Sequence, residues 1–277
     1  MLSFLRRYGA RLTSTRIMLI ASGVAFYAML AVFPGLTATI AVWSTFADPT
    51  VIHSYMEVAR TFIPPEAFEL LNNQVGSLLS GPRGVIGLPA ILSVLVALWS
   101  ARAGVGALIE GINLVHGTTP RNTIFGFVFG YILTAALVGV MLIALATVVV
   151  VPVAVNILPL HALAGQRLTD WLTSDLPWVA MAGLMLTALG ILYHYGPHDP
   201  AARDPFLSYG AVLAALVWGA ASLGLTFYLS NFGNYNRVYG SLWAVIALMM
   251  WLYVSAISVL LGAALNAEIT ATRQPDQ

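Results

Sequence analysis

A chain of 277 residues that is 59% hydrophobic and only 8% charged cannot cover itself with a water-facing polar surface, which excludes a soluble globular domain. Its formal charge of +1 rests on twelve basic residues, all arginine, and offers no general attraction for polyanions, so nucleic acid is not an expected partner. With no cysteine, disulfides, iron–sulfur clusters and thiolate zinc sites are excluded as well.

The expected fold is therefore all-α, a polytopic membrane helical bundle with six transmembrane helices and membrane lipids as its surroundings. Residues 1–16 form a basic amino-terminal segment carrying Arg6, Arg7, Arg11 and Arg16. The apolar run behind it is longer than a secretory h-region and ends without a small-residue cleavage pattern, so it is expected to be a retained first span over 17–43. Ala21, Ala25 and Ala28 give that span small packing positions, and Pro34-Gly35 should kink it. Residues 48–82 hold two start signals, Asp48-Pro49 and Pro65-Glu66, each followed by apolar residues at helical spacing. Neither helix is long enough to span, so both are expected as short amphipathic surface helices between the first and second spans.

The second span, 85–109, leads into the most informative stretch of the chain. At roughly 100° per residue, Trp99, Arg102, Gly106, Glu110 and Asn113 fall within an arc of about 80°. A stripe holding an arginine, a carboxylate and an amide is expected to face protein, water or a ligand rather than lipid. The third span, 124–155, has Pro152 expected to break or bend its end, and a polar connection follows, flanked by Trp171 and Trp178 as interface anchors. The fourth span, 176–195, stops at His194-Tyr-Gly-Pro-His-Asp-Pro200. The fifth, 206–229, carries Gly210, Ala214, Ala220 and Gly224 as a small-residue interface. The sixth, 239–265, has a second, weakly polar stripe of Ser255, Ser258, Gly262 and Asn266, and 269–277 is a tail closing the membrane domain of 17–268. Arg6, Arg7, Arg11, Arg16, Arg102, Arg121, Arg203 and Arg273 fall on the side of the termini, against Arg60, Arg83, Arg167 and Arg237 opposite. The positive-inside rule then puts both termini in the cytoplasm.

Three segments carry a family resemblance. Ala25-Phe-Tyr-Ala-Met-Leu-Ala-Val-Phe-Pro34, Trp99-Ser-Ala-Arg102 through Asn113, and Tyr239-Gly-Ser-Leu-Trp through Trp251-Leu-Tyr, completed by Gly262-Ala-Ala-Leu-Asn266-Ala-Glu268, resemble the YihY/BrkB family of bacterial inner-membrane proteins. The likeness covers nearly the whole chain in order and spacing. One departure is Tyr193-His-Tyr-Gly-Pro197, where the family more often has Tyr, a basic residue, then Phe and Pro. The resemblance implies a six-helix protein of the bacterial inner membrane and labels such as virulence factor, transporter and exporter of a lipid precursor, with no established reaction. An older label of that family, ribonuclease BN, is rejected on chemistry. A metal-dependent nuclease needs clustered histidines and carboxylates, whereas His53, His116, His161, His194 and His198 are scattered.

The candidate substrate-binding or gating residues are Arg102, Glu110, Asn113, Tyr27, Pro34, Ser255, Ser258, Asn266 and Glu268. Arg102 has two readings: a cationic site for a phosphate or carboxylate headgroup between helices, or an arginine snorkelling to the cytoplasmic surface. Glu110 either pairs switchably with Arg102 or Arg121, or is structural. Pro34 either marks a broken helix on a substrate path or is an inert kink. Tyr27 either bonds across to another helix or fills space, and Asn266 and Glu268 either anchor the last helix or face the second-span stripe. No catalytic residue, metal site or cofactor is expected, since no nucleophile–base pair, metal-ligand cluster or phosphate-binding loop occurs. The leading functional expectation is a transporter or flippase-like protein for an amphipathic or anionic, lipid-like substrate, with a vestibule between the second and sixth spans. The alternative is a non-transporting scaffold that organises the envelope, in which those two stripes touch without a cavity. A homo-oligomer is compatible with either.

Overall fold

The computed structural model describes residues 2–43, 56–57, 60, 65–79, 88–118, 124–157, 171–231 and 242–273. Every regular element among them is helical: α1 Leu2–Ser14, α2 Ile17–Trp43, α3 Pro65–Leu79, α4 Leu88–His116, α5 Ile124–Ile157, α6 Leu176–Tyr195, α7 Tyr209–Asn231 and α8 Leu242–Arg273. A π-helical turn, Trp171–Asp175, leads into α6, and a 3₁₀ turn, Pro200–Ala202, lies between α6 and α7. Six of these helices, α2 and α4 through α8, are long and apolar enough to cross a membrane, so the molecule is a helical membrane bundle. The first amphipathic segment (48–62) lies almost wholly outside the described residues. So do positions 85–87 and 239–241 and most of the connection before α6.

Several boundaries differ from the sequence expectation for local reasons. The basic amino-terminal segment is itself a helix, because Tyr8 and Leu12 recur at helical spacing and pack on the bundle core while Leu5 and Arg6 stay exposed. It turns into α2 at Arg16, whose φ of 49° lies in the left-handed region that a non-glycine residue adopts only under constraint. The carbonyl of Arg16 then accepts from the amides of Leu19 and Ile20. α2 has the expected bounds, running through Pro34 with the Thr37 hydroxyl donating to the carbonyl of Phe33 one turn back. α5 likewise continues past Pro152. α7 begins at Tyr209 rather than 206, since the Ser208 hydroxyl accepts the amide of Ala211 and so caps the helix. α8 extends to Arg273, beyond the sixth span expected to end at 265.

α8 is the central helix, packed against α1, α2, α3, α4 and α7, and α2 and α4 form the most extensive pair. Small residues allow this. A Cβ on Gly104 would touch Tyr27 Cβ at 3.6 Å, and one on Gly111 would sit 2.6 Å from Leu260 Cδ2. The core joins Ala21 and Val24 of α2, Ile112 and Val115 of α4, Tyr193 of α6 and Leu260 of α8. α3 joins this bundle by burying Phe68 and Val75. α5 packs on α6 and only lightly on α4, which opens a cleft between α4 and α5.

Candidate functional site

The cleft has a volume of about 700 Å³ and is lined by α4, α5, Tyr27 of α2 and the connection from α6 to α7. Arg102 stands at the middle of the 29-residue α4, about 20 Å from either end at 1.5 Å per residue. Its guanidinium carbon lies 4.9 Å from the centroid of the Phe127 ring and 5.8 Å from that of Tyr131, both on α5. Two glycines make room for it. A Cβ on Gly106 would come within 2.7 Å of one terminal nitrogen, and one on Gly130 within 3.1 Å of the other. The Nε is buried and makes no hydrogen bond, and no carboxylate pairs with the group among the described residues. Stacking on aromatic faces offsets about 0.5–2 kcal/mol, less than the cost of withdrawing an unpaired guanidinium from water. A guanidinium with free N–H donors is chemically able to take an anionic partner by paired hydrogen bonds.

Glu110 is exposed further along the same face, about 12 Å on by helical rise. Asn113 is buried and fully bonded. Its amide nitrogen donates to the carbonyl of Ile109 (2.9 Å) and to His198 Nδ1 (2.8 Å), while its oxygen accepts from the His198 amide and the Thr118 hydroxyl, each at 2.9 Å. Asn113 thus clips the α6–α7 connection onto α4 and shapes the cleft wall. Tyr195, Pro197, His198 and Arg203 complete the mouth.

The other sequence candidates are not brought to this cleft. Ser255 accepts from Trp218 Nε1 (2.9 Å) and donates to the carbonyl of Trp251, and Ser258 donates to the carbonyl of Val254. Asn266 is buried at the α7 and α8 contact, donating to Asp204 Oδ2 and Ser208 Oγ at 2.8 Å each and accepting the Gly210 amide at 2.7 Å. Glu268 is 1% exposed and bridged by Arg7 and Arg11 of α1. Pro34 does not line the cleft. Arg102 and Gly106 of the α4 stripe therefore face the α5 side of the cleft, while the α8 stripe turns inward against α6, α7 and their connection, and Glu268 against α1. The cleft lies between the second and third spans, not between the second and sixth, where a vestibule was expected.

Sequence reasoning singled out neither the aromatic wall of Phe127 and Tyr131 nor Asp204. Asp204 is 4% exposed and sits near His116, and its backbone carbonyl accepts from His194 Nδ1 at 2.8 Å. A signal for Asp204 existed in its place between two apolar helices, but a turn aspartate is ordinarily solvated. Burial pushes its carboxyl up to about 6, while the Asn266 hydrogen bond and the His194 charge pull the other way. The folded pKa exceeds that of the unfolded chain, so this contribution to stability is fully present below the unfolded value and is lost as pH rises through about 6. Relative to wild type, Asp204→Asn is thus expected to gain about 2 kcal/mol on going from about pH 4.5 to about pH 7.5. Thermal melts of the detergent-solubilised proteins at both pH values measure this, and parallel pH profiles would refute it.

Residues 9–277 match the model of a family described as virulence factor BrkB. Over 296 aligned positions the whole chain is 28% identical to a Bacillus subtilis (strain 168) protein named as ribonuclease-like YfkH, of which it covers 98%. A region of 109 residues, 39% of the chain, is 36% identical to a UPF0761 membrane protein of Xanthomonas campestris pv. campestris (strain B100). A region of 68 residues, 24% of the chain, is 46% identical to a UPF0761 membrane protein of Xanthomonas axonopodis pv. citri (strain 306). These two regions span 25% and 16% of the Xanthomonas proteins. No solved structure matches.

Proposed function

This chain belongs to the virulence factor BrkB family of membrane proteins, and we propose that it is a transporter or flippase-like protein admitting an amphipathic anion into the α4–α5 cleft. The observation that carries this reading is Arg102, a guanidinium given room by two glycines and set against two aromatic rings in an open cleft, with no carboxylate paired to it among the described residues. A phosphate or carboxylate headgroup supplies the missing charge through paired hydrogen bonds. An acyl chain can remain in the bilayer beside Phe127 and Phe129, which are exposed on the α5 side of the cleft. Glu110 repels the anion at the mouth and so favours its passage over its retention. The concentration of arginine at the α1 end supports a bacterial inner-membrane protein with cytoplasmic termini and a mouth opening to the cytoplasm.

The ribonuclease-like name of the Bacillus relative is not carried over. The family description names no catalytic activity.

The test is transbilayer movement of labelled anionic lipids in proteoliposomes. Losing about 2 kcal/mol of charge-assisted hydrogen bonding, Arg102→Ala is expected to slow movement about thirtyfold at matched incorporation, with zwitterionic lipids less affected. Wild-type rates in Arg102→Ala would overturn the site. A wild type that moves nothing, with or without a proton gradient, would favour the second reading, a membrane scaffold. The full internal bonding of the α8 stripe is what speaks for that reading.

A further inference from the structure

His116 at the end of α4 and Asp204 in the α6–α7 connection are both buried, each with a side chain 4% exposed. His116 Nδ1 lies 2.9 Å from the carbonyl oxygen of Ile112. A carbonyl only accepts, so Nδ1 carries the ring hydrogen and Nε2 of the neutral imidazole is a bare lone pair. That nitrogen makes no hydrogen bond among the described residues and faces Asp204 Oδ2 at 3.8 Å. The same oxygen already accepts from the Asn266 amide. Two buried acceptors thus face one another with no hydrogen between them, at a separation too long for a hydrogen bond. One added proton supplies the donor on whichever atom it resides.

We propose that His116 and Asp204 form a one-proton binding site that sets the position of the α6–α7 connection and, through it, the mouth of the cleft.

The connection is held near both ends. Asn113 clips His198 with bonds that need no added proton, while at Asp204 the carbonyl accepts from His194 Nδ1 and the carboxylate from Asn266, with His116 Nε2 facing it unbonded until a proton is added. Between them lie the 3₁₀ turn Pro200–Ala202 and Arg203, a residue of the mouth adjacent to Asp204. Shortening 3.8 Å to hydrogen-bond length draws Asp204 about 1 Å toward α4 and carries Arg203 with it. The charged and titratable groups around the pair are placed as follows. α1 supplies Arg11, whose charge acts on His116, and α6 supplies His194 and Tyr193. α8 presents the neutral Asn266, with Glu268 occupied by Arg7 and Arg11. The connection itself adds Arg203 and Asp199. As a control on transport, this site rests on the reading of the cleft as a solute route, so the experiment reads the mouth itself.

The chain has no cysteine, so Ala202→Cys accepts a single nitroxide label on the connection. Its spectrum in reconstituted protein is expected to change with one midpoint near pH 6, the value to which burial pushes Asp204. A label on Leu223→Cys, exposed on α7, should stay constant. Adding Asp204→Asn should abolish the transition. If that variant does not assemble, His194→Gln serves instead: the His194 charge lowers the Asp204 pKa, so its removal should move the midpoint to higher pH. A silent label on Ala202→Cys overturns the proposal, as does a transition unchanged by Asp204→Asn or, where that variant cannot be made, by His194→Gln. Loss of the transition in His194→Gln would assign the proton to His194 and overturn it too. A transition that depends on Asp204 in a protein that moves no lipid leaves the proton site standing and removes the transport reading. Lipid movement with a silent label does the reverse.

Discussion

Gly262→Ala is expected to prevent α8 from seating against α6 and α7 and to leave little monodisperse protein after detergent extraction. A Cβ at this position would lie 2.5 Å from the Tyr193 hydroxyl, 2.9 Å from Ala214 Cβ, and closer still to the carbonyl oxygen of Gly210. The opposing atom at Gly210 is backbone, so relief requires the helices to part. Parting them also strains the bond from the Tyr193 hydroxyl to the carbonyl of Val259 (2.6 Å) and the one from the Gly210 amide to Asn266 (2.7 Å). Overpacking at about 1–3 kcal/mol, with about 1 kcal/mol for each buried bond, gives a loss of about 3–5 kcal/mol. Gly210→Ala should behave alike, its Cβ meeting the carbonyl of Gly262 and, at 2.5 Å, Asn266 Oδ1. The control is Gly224→Ala on α7, which meets nothing within 4 Å and should be neutral or slightly stabilising through helix propensity. Size-exclusion profiles and thermal melts of the three variants measure this. Equal stability of Gly262→Ala and Gly224→Ala would refute the close-contact account.

The second large effect is expected at Glu268. Its carboxylate is 1% exposed and accepts from Arg7 Nε at 2.5 Å and from Arg11 at 3.4 Å, so one buried anion holds two residues of α1. Arg11 also donates to the carbonyl of Val115 (2.6 Å), and Tyr8 to that of Leu261 (3.1 Å). α1 is therefore a clasp across the ends of α4 and α8. Breaking a buried pair costs about 3–5 kcal/mol, but Arg7 is half exposed, so about 2 kcal/mol is the appropriate size for undocking α1. Glu268→Ala should make trypsin cleave after Arg7 and Arg11 at least about tenfold faster, while the spans stay protected. Cleavage at the wild-type pace would show that Tyr8 and the apolar face of α1 hold the clasp without Glu268.

These sites show where the sequence stops being informative. The α4 stripe was legible because helical geometry alone places Arg102, Glu110 and Asn113 on one face. The stripe on α8 reads the same way, yet Ser258 and Asn266 are buried and Ser255, Ser258 and Asn266 are all hydrogen-bonded inside the bundle. Nothing local separates the two, since the difference lies in the neighbour: α5 packs lightly on α4, whereas α7 comes into backbone contact with α8 at Gly210 and Gly262. The small residues of α7 repeat the lesson, because Gly210 and Gly224 have equal standing in the pattern but only Gly210 lies at a contact. Glu268 looked like a terminal anchor, and the structure supplies the partners, two arginines from the opposite end of the chain.

The sequence by itself determined the membrane class, the helical character, the six spans, the polar face of α4 and the exclusion of thiol chemistry. Hydropathy, helical period and residue inventory are local or additive properties of the chain. Tertiary structure alone decided that Arg102 stands against Phe127 and Tyr131 with no carboxylate partner among the described residues, that Glu268 fastens α1, and that Asp204 and His116 meet as two acceptors. The cost of burying a charge or a lone pair depends on which distant groups surround it, and that is fixed only when the helices pack.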